Sequence, residues 1–262
     1  MPTSVASVFS NPEHFQAALS KDGVRSLLVI GQGQFRARLA QIALNQMGLA
    51  AGEEEFSRIA FVAVPADTVL VSFPIGDRPA PIWGGAEVRV GEMITLGPSQ
   101  RIHARTEGPC HWGSIRLPSD DLVGYGRALR GAEFAVPQVA RWRRPRAALR
   151  ELRHFHQAAI RAADMRSRAL ADDQAAHGLE HQLIHALVEC LSAGSGDEET
   201  EAARRHRDIL ARFEDLLQNQ PFLDTAEICG TLRISEETLR QCCEQHLGMG
   251  PDHYRGLRGH RM

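Results

Sequence analysis

The spacing of apolar residues changes once along this chain of 262 residues, and that change constrains the fold more than any other feature. Up to about residue 117 the apolar residues fall in short runs: 24–31, 35–44, 58–64, 68–76, 87–90, 92–97 and 111–117. Several runs alternate apolar with polar residues, and Gly, Pro and Asp punctuate the gaps, as expected of strands buried on one face. Phe35, Ala37 and Leu39 should turn one way and Arg36 and Arg38 the other. Strands at this spacing, with no long helices between them, predict a β-sandwich or small barrel. From about Arg146 the period lengthens to that of a helix and stays so. The expected class is therefore α+β, with a β-rich N-terminal part and an all-α C-terminal part.

Residues 119–131 begin the change to helix. A long helical region is expected behind Pro145 and another over 175–194, where Leu179, Leu183, Leu187 and Leu191 stand four apart. That stripe suits internal packing and a dimer surface equally well. The acidic, Gly- and Ser-containing stretch 192–202 reads as an exposed linker. Three parts are thus expected: 1–135, a β-sandwich; 136–195, a helical linker and dimerisation region; and 203–262, a helical C-terminal part.

The length allows one large or two ordinary domains with a sizeable core. No apolar run approaches the length of a membrane span, and "MPTSVASVFSNPEHF" lacks the basic start and apolar segment of a secretory leader. Five cysteines, an odd number without Cys-x-x-Cys spacing, predict reduced and mostly buried thiols in a cytoplasmic protein. A net charge of -2 gives no global attraction to a polyanion. The segment 138–170, however, holds nine Arg against Glu151 and Asp164, either a solvated helix face or a phosphate-facing patch.

The C-terminal sequence has the punctuation of short helices. Asp224 with Glu227 forms a capping-box signal, and Ser235 is an N-cap followed by Glu236 and Glu237 at the positive end of a helix dipole. Leu239, Cys242 and Cys243 make one apolar stripe, Gly248 ends the helix, and Gly250 and Pro251 open another with Tyr254 and Leu257 turned inward. Two short helices joined by a tight turn, the second with a polar outer face, predict a helix-turn-helix. Both thiols of the Cys242–Cys243 pair are expected in its core rather than in a redox or metal site.

The stretch "EICGTLRISEETLRQCCEQHLGMGPDHYRGLR" (227–258) resembles the first helix-turn-helix of AraC-type bacterial transcription regulators. The resemblance rests on Ser235, Thr238-Leu239-Arg240, the pair at 242 and 243, Leu247-Gly248, Pro251 and Tyr254. It implies a cupin-like sensor sandwich before the helices, and "VRVGEMITLGPSQRIH" (88–103) is weakly similar to a cupin strand pair. It also implies double-stranded DNA as partner, read in the major groove by helix 235–247. Base contact falls on Glu237, Arg240 and Gln241, with Glu236, Thr238 and Gln245 on the same helix. Arg suits guanine, Gln adenine and Glu the amino group of cytosine. A homodimer and a small-molecule effector of unknown identity are further expectations, without membrane association. Two departures stand out: Arg233 occupies a turn position where such motifs often carry Gly, and only the start of the helix leading to a second motif is present. The chain is therefore expected to hold half a reader, and regulation by pairing with other subunits without specific DNA binding is the alternative.

A metal-dependent cupin enzyme is the remaining alternative. His103, Glu107 and His111 are its candidate ligands, but no His-x-His pair occurs in the β region. His154 and His156 would point about 200° apart on a helix, poor geometry for co-ligands. Trp83 and Trp112 are expected in the sandwich core. "GQGQF" (31–35) lacks the Gly-Lys-Ser/Thr of a phosphate loop, and no nucleophile set is visible. No cofactor, no metal and no enzymatic activity are expected.

Overall fold

Alternating sequence in the first half builds two antiparallel sheets, and the helical half coats their outer faces. The computed structural model describes residues 3–31, 33–76, 79–132, 134–137, 140–143, 145–164, 173–193 and 196–259. In chain order the elements begin with strand β1 (Thr3–Phe9), helix α1 (Pro12–Leu19), and strands β2 (Val24–Ile30), β3 (Ala37–Ala43) and β4 (Gly48–Glu54). Strands β5 (Ser57–Ala63), β6 (Thr68–Pro74), β7 (Ile82–Trp83), β8 (Ala86–Glu87), β9 (Met93–Leu96), β10 (Arg101–Thr106) and β11 (Cys110–Pro118) complete the β-rich half. Helix α2 (Ser119–Arg130), strand β12 (Arg141–Arg143), and helices α3 (Arg146–Asp164) and α4 (Asp173–Ser192) follow. The chain continues through strand β13 (Gly196–Glu198) and helices α5 (Glu201–Asn219), α6 (Thr225–Leu232), α7 (Glu236–Leu247) and α8 (Pro251–Gly259).

One sheet runs β1-β3-β4-β11-β6-β9-β12-β13 and the other β2-β5-β10-β7-β8. Leu27, Leu39, Trp83, Ile102 and Trp112 fill the space between them. On the outer face of the larger sheet, Ile42, Leu49, Val71 and Ile115 pack with Leu152 of α3 and Leu183 and Leu187 of α4. On the outer face of the smaller sheet, Leu28 and Ile59 pack with α5, α6 and α7. Central strands are therefore buried on both faces, which is why β5 and β6 read as nearly continuous apolar runs rather than alternating ones. The class is α+β, as expected.

Several expectations need correction. The stretch 192–202 is not simply an exposed linker: β13 pairs with β12, and Glu199 is buried against Arg207 at 2.8 Å. The leucine stripe of α4 is consumed inside the chain, with Leu183 and Leu187 fully buried under α3, so those leucines offer no dimer surface. In the Arg-rich segment, Arg141 pairs with Glu198 and Arg143 is buried, while Arg146, Arg150 and Arg161 are exposed. Arg144, Arg166 and Arg168 lie outside the described residues. Strands β1, β4, β7, β12 and β13 and helix α1 were not legible in advance, β10 was legible only at its start, and the run 87–90 is strand only at Glu87. In β4 the reason is steric: a Cβ at Gly52 would lie 2.3 Å from Cε2 of Trp112, so the indole takes the place of the side chains that mark a strand. Among the described residues no helix is long and apolar enough to cross a membrane.

Candidate nucleic-acid interface

Local hydrogen bonding sets the start of each helix in the C-terminal part. The Asp224 carboxylate accepts the N–H of Glu227 and the Glu227 carboxylate accepts the N–H of Asp224, both at 2.8 Å, closing the capping box of α6. Arg233 then turns the chain in the left-handed region, φ 57° and ψ 48°. The Ile234 N–H returns to the Cys229 carbonyl at 3.1 Å. The turn thus forms with Arg where Gly is favoured, at a backbone cost of about 1–2 kcal/mol. Ser235 caps α7 by accepting the Thr238 N–H at 3.1 Å. Ser235→Ala is expected to lower stability by about 1 kcal/mol in urea unfolding; an unchanged midpoint would remove the cap from the account.

The inner face of α7 carries Leu239, Cys242, Cys243 and Leu247, all buried with Ile228 and Leu232 of α6 and Leu210 and Phe213 of α5. Burial pushes the Cys242 thiol up to about 11 and the Cys243 thiol higher still. Both remain neutral, as small core residues rather than nucleophiles. All five cysteines are buried, and none forms a disulfide.

The outer face presents a charged network. Arg240 donates to both carboxylate oxygens of Glu237, at 2.6 and 3.0 Å, and to Glu244 at 2.7 Å. Gln241 donates to Glu237 at 2.9 Å. The hydrogen bond from Arg240 is the main reason that the Glu237 carboxyl is held below its ordinary range. Glu237, Arg240 and Gln241 are thus exposed side by side, with Glu236 exposed one residue earlier. Thr238 is half-buried, its hydroxyl 2.8 Å from the capping oxygen of Ser235. Gln245 points elsewhere: it bonds His206 at 3.0 Å and lies against Gly85 in the β7–β8 turn. The structure therefore groups Glu237, Arg240 and Gln241 and sets Gln245 apart on the flank that docks on the sandwich.

Buried polar contacts fix that docking. His103 of β10, 2 % exposed, meets the Glu214 carboxylate of α5 at 2.9 Å, so its Nε2 carries the proton. Tyr254 of α8 donates its hydroxyl to the same carboxylate, and Arg258 stands 3.1 Å from its other oxygen. Burial would raise the Glu214 carboxyl, but His103, Arg258 and Tyr254 outweigh it and hold it below the ordinary range. Arg101 forms a fork to Asp215 at 2.5 and 2.8 Å and also reaches the Ala211 carbonyl. Sequence reasoning missed this cluster. Its signal was a carboxylate inside the apolar stripe of α5, since Glu214 stands with Leu210, Phe213 and Leu217 at helical spacing.

The proposed cupin ligands do not converge. His103 is committed to Glu214, and Glu107 is paired with Arg105. Among the described residues no three His, Cys, Asp or Glu side chains group as a metal centre needs. The sandwich interior holds a cavity of about 40 Å³ beside Arg58, Trp83 and Trp112, room for about one water molecule. A larger cleft of about 960 Å³ opens between the smaller sheet and helices α5 and α8, past Arg25, Phe61, Leu217 and Arg255.

No family model matches the sequence, and no curated protein matches it. Among solved structures, the AraC-like transcriptional activator CuxR superposes over 99 % of this chain and 93 % of its own, with a TM-score of 0.51 and 16 % identity. ToxT from Vibrio cholerae, bound to an unsaturated fatty acid, covers 78 % of this chain and 74 % of its own at 10 % identity. Its TM-score of 0.28 is too low to argue from. From strand β1 to helix α8, this chain therefore shares the overall fold of CuxR.

Proposed function

We propose that this protein is a DNA-binding transcription regulator in which α7 enters the major groove. Residues 1–135 form a cupin-like sensor, 136–195 a helical linker, and 203–262 the reader. The observation that carries the reading is the exposed face of α7, where Glu237, Arg240 and Gln241 stand together on a helix held by its cap and by a tight turn. Arg240 already makes a planar two-bond contact with Glu237, the geometry with which it would address guanine. To do so it must leave Glu237 and Glu244, so base selection competes with an intrahelical pair. Glu236, Glu237 and Glu244 surround a single Arg on this face. They repel phosphates, so tight binding calls for paired subunits and for cations outside α7. The working compartment is the cytoplasm, and the effector acts through the docking of the reader on the sandwich.

Selection of fragments from a random DNA pool, followed across salt concentration, tests the reading. An enriched motif is expected. Arg240→Ala should weaken binding to it by about 1–3 kcal/mol and relax one base position. Base preference that survives Arg240→Ala unchanged would refute the assigned contact. The acidity of the α7 face favours a second reading, in which the protein acts by pairing with other subunits. Self-association without any enriched motif would select that reading.

A further inference from the structure

We propose that His177 and His181, on the exposed face of α4, form a chelating site for a divalent transition-metal ion. The Nε2 atoms of the two side chains are 3.0 Å apart, and their rings lie 4.4 Å apart, nearly perpendicular. Two imidazole nitrogens each about 2.0–2.1 Å from one ion are themselves about 3 Å apart when the angle at the ion is near 95°. The spacing is therefore already that of a chelate. A modest tilt of each ring, from facing the other to facing a common point, replaces the proton they share by an ion. Residues four apart on a helix share a face, and two such histidines are a known ligand pair for zinc.

The surroundings hold the pair in place. Beside the pair α4 is locked in place by Ala176, Leu183 and Ile184, all buried. The Tyr125 ring stands edge-on to His181 at 6.4 Å, and its hydroxyl is anchored on Gln46 at 2.6 Å. Glu180 separates this site from a catalytic one. His-x-x-Glu-His is the spacing with which some zinc peptidases supply two ligands and a general base, and residues 177–181 have it. Here Glu180 is 3 % exposed and accepts the backbone N–H groups of Gln46 and Met47, at 2.7 and 3.1 Å. It faces the turn between β3 and β4, so the histidines bind an ion without a carboxylate base beside it. Neutral imidazole suits Cu²⁺, Ni²⁺ and Zn²⁺, with Cu²⁺ bound most tightly, and does not suit Mg²⁺. The site stands apart from α7, and its test does not depend on DNA binding.

The test is titration of the full, untagged chain with Cu²⁺, Ni²⁺, Zn²⁺ and Mg²⁺ by calorimetry, with electron paramagnetic resonance of the Cu²⁺ form. One equivalent of Cu²⁺ with nitrogen hyperfine coupling is expected, Ni²⁺ and Zn²⁺ binding more weakly and Mg²⁺ not at all. His177→Gln and His181→Gln should each weaken binding by about tenfold or more, at least the loss that outer-shell changes cause. Circular dichroism should confirm that both variants stay folded, as expected for exposed positions. His154→Gln and His253→Gln should leave binding unchanged. Retention of Cu²⁺ by the His177→Gln/His181→Gln double variant would overturn the proposal, as would failure of the parent chain to bind any equivalent at micromolar Cu²⁺.

Discussion

Glu214→Ala is expected to destabilise the protein by about 3–5 kcal/mol, among the largest losses from a single substitution outside the apolar core. The carboxylate is 2 % exposed and joins three elements: it accepts hydrogen bonds from the Nε2–H of His103 on β10 and the Tyr254 hydroxyl on α8, with Arg258 on its other oxygen. Removing it leaves an imidazole, a phenol and a guanidinium without their common partner where water cannot replace it. Glu214→Gln keeps an acceptor but loses the charge, so a smaller loss is expected. Urea unfolding of both variants, read by tryptophan fluorescence, measures the difference. If Glu214→Ala unfolds within about 0.5 kcal/mol of the parent, the range of ordinary surface substitutions, this cluster does not hold the helices to the sheet. The same variant should loosen the docking of α8 and α5 on β10, making the C-terminal helices more susceptible to proteolysis.

Acid should weaken the fold well before the carboxylates protonate. His156 is 0 % exposed, with Nε2 donating between the Ala50 and Ser114 carbonyls, and burial lowers its pKa to about 4. His246 is 1 % exposed with neither ring nitrogen hydrogen-bonded; burial, then His103, His206 and Arg207, lower it to about 4. In the unfolded chain a histidine takes its proton near pH 6.5. Below that pH the unfolded state binds more protons than the native one, so stability falls as pH drops from about 6.5 toward 4 and levels off beneath it. Each histidine contributes about 3 kcal/mol to this slope. Glu214, whose carboxyl is held low, loses its contribution only in more acid solution. Thermal unfolding at pH 7 and at pH 4.5 measures the combined effect, and His246→Leu should flatten the curve by about half. A midpoint constant over that range would show that both rings are charged or solvated in the native state.

Much of the fold was legible because its signals are local. The strand runs, the onset of helix behind Pro145, the capping box at Asp224, the cap at Ser235 and the inward stripe of Leu239, Cys242 and Cys243 each depend on residues within a few positions of one another. Trp83 and Trp112 were placed in the core on the same grounds. What stayed hidden depends on contacts across the chain. β4 has no alternating apolar pattern and forms a strand by pairing with β3 and β11, where Trp112 fills the space above Gly52. The leucines of α4 satisfied two readings until α3 and the larger sheet covered them.

The period of most elements, the capped helix-turn-helix and the outward placing of Glu237, Arg240 and Gln241 on α7 follow from local sequence, since backbone geometry and one apolar stripe fix which faces lie opposite. The folded arrangement sets which polar groups are buried and with whom. It joined His103 to Glu214 across 111 positions and separated Gln245 from Arg240. It also turned Glu180 inward while bringing His177 and His181 within 3.0 Å. A charged side chain shows its type in the sequence. Its desolvation and its partner exist only once distant segments exclude the water between them.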